Sequence, residues 1–438
     1  MAVMSAALLS CAVLGVPGAT PAAAETASEA AFAEVLKDPG NLDKNLAYAT
    51  ALVKEGDVEG AIAVLERLVL IYPDRAELHL SLGQLYRRVH SDAAAAQAFN
   101  DAIAAPVTTP AIKAEAEAAR DQAVARTARS QFNGSLYAGM QYQTNANAGA
   151  DSHLVRSDGV LVKRGESEQP DDDISGVMGF NLNHRYDFGR QNGLALESRL
   201  SGFGQFYDEN ARLDSGRIGG QVGLGFAPFA GDGGFFRLQP RGNFEAVTVN
   251  GQWLDGGGGP GLGAKFAFSD TLGLELGYDA IYRNYDEVHG FGDTQDYTGW
   301  EHDGVATLTW IARPGTTLMF SLGGRRAGTE KDFLDYTGLT SSAAVYQAYG
   351  SPIRFLSRDW LAGLSAGYEA RWYDGPDDSV DPGVTRQDDI FQFDASNTIP
   401  LSDSWSFTQQ IQYLLVDSNL RNYSYDNLTV AMSARWRF

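Results

Sequence analysis

The stretch LTVAMSARWRF, residues 428–438, sets Leu428, Val430, Met432, Ala434, Trp436 and Phe438 on one parity. Thr429, Ala431, Ser433, Arg435 and Arg437 fall on the other. Side chains of a strand alternate between faces, so this segment is apolar on one side and polar and cationic on the other. A strand at the edge of a soluble sheet rarely looks like this.

The same grammar recurs from Phe132 onward. FNGSLYAGMQY (132–142) sets Phe132, Leu136, Met140 and Tyr142 against Asn133, Ser135 and Gln141. LALESRLSGFGQF (194–206) sets Leu194, Leu196 and Leu200 against Glu197, Arg199 and Gln205. FRLQPRGNFEA (236–246) opposes Phe236, Leu238 and Phe244 to Arg237, Gln239, Arg241, Asn243 and Glu245, and LGLELGYDAIYR (272–283) opposes its leucines, Tyr278 and Tyr282 to Glu275, Asp279 and Arg283. Such strands have one face for hydrocarbon and one for a polar interior. They are expected near 132–142, 174–188, 193–206, 215–227, 235–248, 260–268, 271–284, 300–312, 317–327, 340–350, 358–373, 388–400, 405–416 and 425–438. About fourteen antiparallel strands, each near the roughly 9–11 residues needed to cross a bilayer, predict a closed transmembrane barrel, which also removes exposed sheet edges.

The connections point the same way. Short links fall at GRQN, PFAGDGG, SDT, RPGT and SDS, and long ones at 143–173, 207–214, 249–259, 285–299, 328–339, 374–387 and 417–424. Outer-membrane barrels put short turns in the periplasm and long loops outside, so both ends of the barrel are expected on the periplasmic side. Parity assigns Glu197, Arg199, Arg217, Arg237, Arg241, Glu245, Lys265, Glu275, Asp279, Arg283, Arg325, Glu369, Arg371 and Asp394 to the lumen. An Arg on the lipid side at the midplane would cost roughly 2–4 kcal/mol, which rejects the opposite register for Arg435 and Arg437. Arg326 breaks the rule and is expected at the extracellular rim. A lumen set of both signs reads as interlocking ion pairs in a narrow or plugged lumen, where a one-sign ring would have indicated ion selection.

Before residue 130 the composition is rich in Ala, Leu and Glu. Residues 42–75 and 76–109 align at the 34-residue period of tetratricopeptide repeats, two antiparallel helices each. Gly56 and Asp57 make the first inter-helix turn, Ala61 and Leu65 pack the second helix, and Pro73 closes the repeat. Leu82, Gly83, Tyr86, Ala95, Phe99 and Ala102 occupy the matching positions of the second repeat. Pro39 implies a degenerate half-repeat before them, and residues 110–129 read as a capping helix. The expected fold class is therefore α+β multidomain: signal peptide 1–24, tetratricopeptide repeat domain 25–130, and antiparallel transmembrane β-barrel 131–438. The signal reading rests on the apolar start and the Ala22 to Ala24 cleavage site, with lipidation at Cys11 as its rival; cleavage after Ala24 leaves no cysteine.

A formal net charge of −21 argues against nucleic-acid binding. No catalytic signature stands out. His79, His90, His153, His184, His289 and His302 lack metal-like partners at i+3 or i+4 and read as packed or solvated. The glycine run GGGGP (256–260) lacks the Lys and Ser/Thr of a phosphate loop and reads as a flexible loop before a strand. The acidic stretches EQPDDD and YDGPDDSVD fit no calcium-loop spacing and read as solvated loop charge. No catalytic, cofactor or metal site is expected, nor any enzymatic activity.

A short repeat array followed by a barrel of this size resembles the surface lipoprotein assembly modulator family. The barrel's opening is similar to that family's first strand, which runs into an Asp-Ser-Asn-Val-Asn-like stretch; Thr144, Asn145, Ala146 and Asn147 here keep both asparagines without the acidic residue. The ending resembles the family's last hairpin, with Ser418 and Asn419 followed by Tyr425 and Asp426. Trp436 and Phe438 resemble the C-terminal signal read by the barrel assembly machinery. The resemblance implies an outer-membrane location, a periplasmic array that docks a protein client, and delivery of that client, a surface lipoprotein or secreted protein, across or onto the membrane. Alternatives are an exopolysaccharide export porin and a passive diffusion porin.

Overall fold

The computed structural model describes residues 26–165, 169–229 and 235–438. The expected signal segment with Cys11 and most of the PFAGDGG link lie outside the described residues. The chain forms two compact units that divide between Ala128 and Arg129.

The first unit is helical: α1 (Ala27–Lys37), α2 (Leu42–Glu55), α3 (Val58–Ile71), α4 (Ala76–Arg88), α5 (Asp92–Ala104) and α6 (Pro110–Thr127). α2/α3 and α4/α5 are the two full repeats, α1 the preceding half-repeat and α6 the cap. Gly56 ends α2 with φ 92°, a left-handed conformation that glycine adopts without a Cβ clash. Ala61, Leu65, Ala95, Phe99 and Ala102 are buried at the packing positions. Gly83 has a steric cause, because a Cβ there would lie 2.5 Å from the Phe99 ring. Ser28 donates to Glu55 from both its N–H (2.9 Å) and its Oγ (2.5 Å), tying α1 to the end of α2. Those bonds hold the Glu55 carboxyl below the usual carboxylate range, so the clamp is in place at neutral pH and weakens as pH falls through the folded value.

The second unit is a closed fourteen-stranded antiparallel barrel. Its strands are β1 (Ser130–Gln143), β4 (Asp173–Asp187), β5 (Ala195–Tyr207), β6 (Ser215–Gly225), β7 (Phe236–Val249), β8 (Gln252–Ser269) and β9 (Leu272–Tyr285). They continue as β10 (Gly299–Arg313), β11 (Thr316–Gly328), β12 (Tyr336–Tyr349), β13 (Trp360–Pro376), β14 (Thr385–Pro400), β15 (Trp405–Ser418) and β16 (Tyr425–Arg437). A separate ribbon, β2 (Leu154–Ser157) with β3 (Val160–Lys163), stands in the first long link. β16 closes the barrel against β1 in a register pairing Met432 with Met140 and Arg437 with Ser135. Gly134 and Phe438 exchange both backbone hydrogen bonds, at 3.0 and 3.1 Å. The Phe438 ring lies where a Gly134 side chain would stand, 2.7 Å from the ideal Cβ, so Gly134 makes room for the terminal aromatic.

Parity holds through most of the ring; its exceptions include Phe203 on the lumen side and Gln409 and Arg326 on the outer side. The outward positions leave large apolar side chains uncovered, among them Leu322 (67 % exposed), Phe132 (64 %) and Met140 (63 %). Aromatic residues collect towards both ends of this face: Trp310, Trp405, Trp436 and Phe268 at one, Tyr142, Tyr282, Trp300 and Trp372 at the other. Such a band between two girdles is the outer face of a membrane barrel. No described helix is long and apolar enough to cross a membrane. Arg326 points outward at the long-loop rim, where Asp374 holds it at 2.6 Å.

One expectation fails, and one long connection is more structured than a loop. The run 256–260 is part of β8, and the link from β7 to β8 is only Asn250 and Gly251 at φ 51° and 69°, the left-handed pair of a type I′ hairpin. The first long link is also no plain loop, since β2 and β3 fold it about Asp158 and Gly159 at φ 50° and 76°.

The lipid face makes a direct prediction. Leu322→Arg, near the middle of β11, should cost about 2–4 kcal/mol of folding free energy in phospholipid vesicles, whereas Ser321→Arg, facing the lumen, should cost under about 1 kcal/mol. Urea-dependent folding of the two variants measures the difference.

Candidate functional site

The barrel interior gathers the charged residues into pairs, and it does so along the wall. Arg237 meets Glu197 at 2.6 Å, Arg241 holds Asp279 through Nε (3.0 Å) and Nη2 (2.6 Å), and Lys265 meets Glu275 at 3.2 Å. Arg283 is the hub, donating to Glu245 (2.9 Å), Asp255 (2.6 Å) and Glu301 (2.9 Å), while Glu245 also takes Arg217 at 2.5 Å. Further round, Arg325 meets Asp303 at 2.6 Å and reaches Glu369 at 4.0 Å, and Arg371 meets Glu369 at 2.6 Å with its guanidinium over Tyr336. Arg199 stands apart from this chain of pairs, donating to the Asn183 amide oxygen. Asp255, Glu301 and Asp303 were not foreseen. Asp255 fell in a presumed loop, whereas the other two carried a readable inward parity.

Glycine explains how these pairs lie flat. Arg241 and Glu245 stand on β7, Asp279 and Arg283 on β9, and the bonds between them cross β8, whose inward positions here are Gly257, Gly259 and Gly261. A Cβ at Gly261 would sit 2.0 Å from an Asp279 carboxylate oxygen, and one at Gly257 would sit 3.3 Å from Arg283. The Arg237 to Glu197 bridge crosses β6 over Gly225 in the same way, where a Cβ would meet Arg237 at 2.4 Å. The run GGGGP is thus a smooth strip that lets next-neighbour strands pair over it.

Every lumen ion pair among the described residues joins strands no more than two apart. The pairs therefore interlock as expected in sign but do not stitch the lumen shut. Two polar clefts open at the short-loop end. One, of about 400 Å³, is bounded by Asn133, Asn183, Arg199, Gln239 and Lys265. The other, of about 410 Å³, lies on the β12 to β16 wall and is lined by hydroxyls and amides around Asp394, with Arg435 and Arg437 at its edge.

At the long-loop end, loops are clasped around the junction of β1 and β16. Asn145 is buried (3 % exposed); its side chain donates to the Gly149 and Asp426 carbonyls and accepts the Gly149 N–H. Asn147 ties down Gly149, Gln169 and Asp171. Asn419 accepts the Gln387 N–H and donates to the Thr385 carbonyl. The two motifs that carry the family resemblance thus meet in one place. The β2/β3 ribbon joins them: Arg156 pairs with Asp381, and its backbone exchanges two hydrogen bonds with the Asn422 amide. Burial and the neighbouring Asp426 raise the Asp151 carboxyl in this cluster. Arg386 stacks over Tyr373 and Tyr423 at 4.6 and 3.6 Å.

The histidines are dispersed. His79 is buried against the Pro73 carbonyl at 2.8 Å, His184 stacks on Phe132, and His302 meets Tyr278. Among the described residues no cluster of three or more His, Cys, Asp or Glu is placed to hold a metal. Two aspartates of the acidic stretches are engaged instead: Asp173, at the start of β4, accepts backbone N–H groups of Glu209 and Asn210, and Asp377 accepts that of Ser379.

Residues 20–85 match the tetratricopeptide repeat family. No curated protein matches the chain. Among solved structures, a bacterial polysaccharide outer-membrane secretin is 11 % identical, covering 70 % of this chain and 98 % of its own, with a TM-score of 0.37. An outer-membrane channel from Pseudomonas putida F1 is 12 % identical over 70 % of this chain and 96 % of its own, with a TM-score of 0.35. A tetratricopeptide repeat domain protein from Salinibacter ruber is 26 % identical over 20 % of this chain and 89 % of its own, with a TM-score of 0.19. The chain is an outer-membrane-type barrel preceded by a tetratricopeptide repeat unit.

Arg283 supplies the test of the wall. Arg283→Ala leaves three inward carboxylates without their shared guanidinium, which should cost about 3–5 kcal/mol. The surviving barrels should become cation-selective in a salt gradient across a planar bilayer. Unchanged selectivity would mean that the Arg283 pairs do not set the lumen's balance.

Proposed function

We propose that this protein is an outer-membrane translocation and assembly factor that delivers a protein client across or onto the membrane. The observation that carries the reading is the union, in one chain, of a protein-recognition solenoid with a closed barrel whose wall charges cancel locally. Such a wall presents no one-sign ring, which speaks against ion selection as the purpose of the lumen. A passive porin would leave the repeat unit without a task. The chain enters β1 and leaves β16 at the short-loop end, and the usual topology of these barrels puts that end, with the repeats, in the periplasm. There the repeats would receive the client by docking one of its segments. The barrel assembly machinery would read the C-terminal strand with Trp436 and Phe438, and lipid would cover the outward face. The role needs no covalent chemistry and no cofactor.

A second reading, export of a polysaccharide, draws on the hydroxyl-lined cleft. Deleting the gene and shaving intact cells with protease separates the two. The expected result is loss of one or a few surface proteins while their periplasmic pools persist. An unchanged protein surface with loss of secreted polysaccharide would overturn the proposal in favour of export. No change in either would reject both.

A further inference from the structure

The two halves of the lumen differ in kind. The wall from β5 to β11 carries guanidinium, ammonium and carboxylate groups bound to one another, with Arg199 on the Asn183 amide instead. The short-loop half of β14 and β15 offers almost only neutral donors and acceptors: Ser396, Thr398, Ser406, Thr408 and Gln410, with Asp394 among them. Asp394 is itself engaged, accepting from Ser365 at 3.3 Å, Gln392 at 2.9 Å and Gln410 at 3.3 Å. Thr398 and Thr408 face each other at 3.0 Å, which uses one hydroxyl proton and leaves acceptor lone pairs and the other proton. Ser406 is 5 % exposed, lines the cleft, and its Oγ has no hydrogen-bond partner. An unsatisfied buried hydroxyl is costly, so a group that completes it is favoured.

Resting on the translocation role above, we propose that this strip is the track along which the client passes as an extended polypeptide. An extended segment carries an N–H and a C=O on nearly every residue, whatever its sequence. A file of hydroxyls and amides can donate to one and accept from the other, so it grips backbone without selecting side chains. The opposite wall, its charges mostly self-paired, adds little charge preference, and the cations beside the strip are Arg435 and Arg437 at the cleft's edge. A saccharide fits less well, because it would call on exposed aromatic faces for stacking. One aromatic, Tyr346, lines the cleft at 37 % exposure, a single platform, while the lumen tyrosines Tyr137, Tyr336 and Tyr373 hold guanidinium groups over their rings, from Arg435, Arg371 and Arg386.

The full-length protein in a planar bilayer tests this with two probes, a flexible uncharged peptide of Gly, Ser, Asn and Thr and an unbranched glucan oligosaccharide. The peptide should block the current, and in the Thr398→Val, Thr408→Val double variant its residence time should fall about tenfold, as expected for losing one or two hydrogen bonds. A residence time unchanged in the variant, or a glucan block longer than the peptide's and shortened by the variant, would overturn the track; the second outcome would make it a saccharide strip. Should the double variant fail to fold, Thr408→Cys and Gln409→Cys give an independent reading: a peptide bearing an activated disulfide should capture the lumen-facing Cys at 408 and not the lipid-facing one at 409. Equal capture would also sink the track. These measurements stand apart from the surface-shaving result. If gene loss leaves surface proteins unchanged, the delivery role fails whatever the bilayer shows; if gene loss strips a surface protein but the peptide ignores the strip, only the track falls.

Discussion

Hydrocarbon offers no hydrogen bonds, so a chain that crosses it in extended form must pair every backbone N–H and C=O within itself. A sheet meets that demand only by closing, and closure here depends on β16 reaching β1. The last bonds of that junction are the exchange between Phe438 and Gly134. Once the ring is closed, strand alternation leaves each side chain either in lipid or in the lumen, and a shift of one residue would exchange the two sets. The apolar parity is therefore not decoration on the fold but the condition for it.

Closure in turn poses an electrostatic problem. The lumen parity carries many charges, and unpaired ions beside a low-dielectric wall are costly. The chain resolves this with glycine. Where Gly225, Gly257 and Gly261 remove the side chain from an intervening strand, guanidinium groups lie flat and reach carboxylates two strands away. Most of the ions neutralise each other along the wall, and no ion pair among the described residues bridges the lumen. Local cancellation thus links a compositional oddity, a run of glycines in a strand, to a polar but unselective interior. Under the proposed role, that interior suits a client recognised elsewhere, on the repeat unit.

Most of this architecture was legible because it is periodic. The strands from Phe132 to Phe438 declare themselves by a two-residue alternation, and the helices by a 34-residue repeat whose small positions, such as Gly83 beneath Phe99, have steric reasons. The misses have separate causes. A run of glycines has no side chains and so no parity, which hid the start of β8 and with it Asp255. Asn250 with Gly251 and Asp158 with Gly159 were tight-turn signals, overlooked inside segments already assigned to long loops. Asn145 and Asn147 could be matched to a family but not explained, because their partners, including the Asp426 carbonyl some 280 positions away, are met only in three dimensions. The identity of the proposed client is not written in the lumen, since a wall that largely cancels its own charge carries little sequence-readable preference.

The most direct measurement of the central claim is a cysteine scan of β16 in native outer membranes, with Cys11 replaced by serine and a membrane-impermeant maleimide as probe. Positions Thr429, Ala431, Ser433 and Arg435 should label from the aqueous lumen, and Val430, Met432 and Ala434 should be protected by lipid. Uniform labelling along the strand, or the reverse alternation, would contradict the barrel register and the lumen built on it.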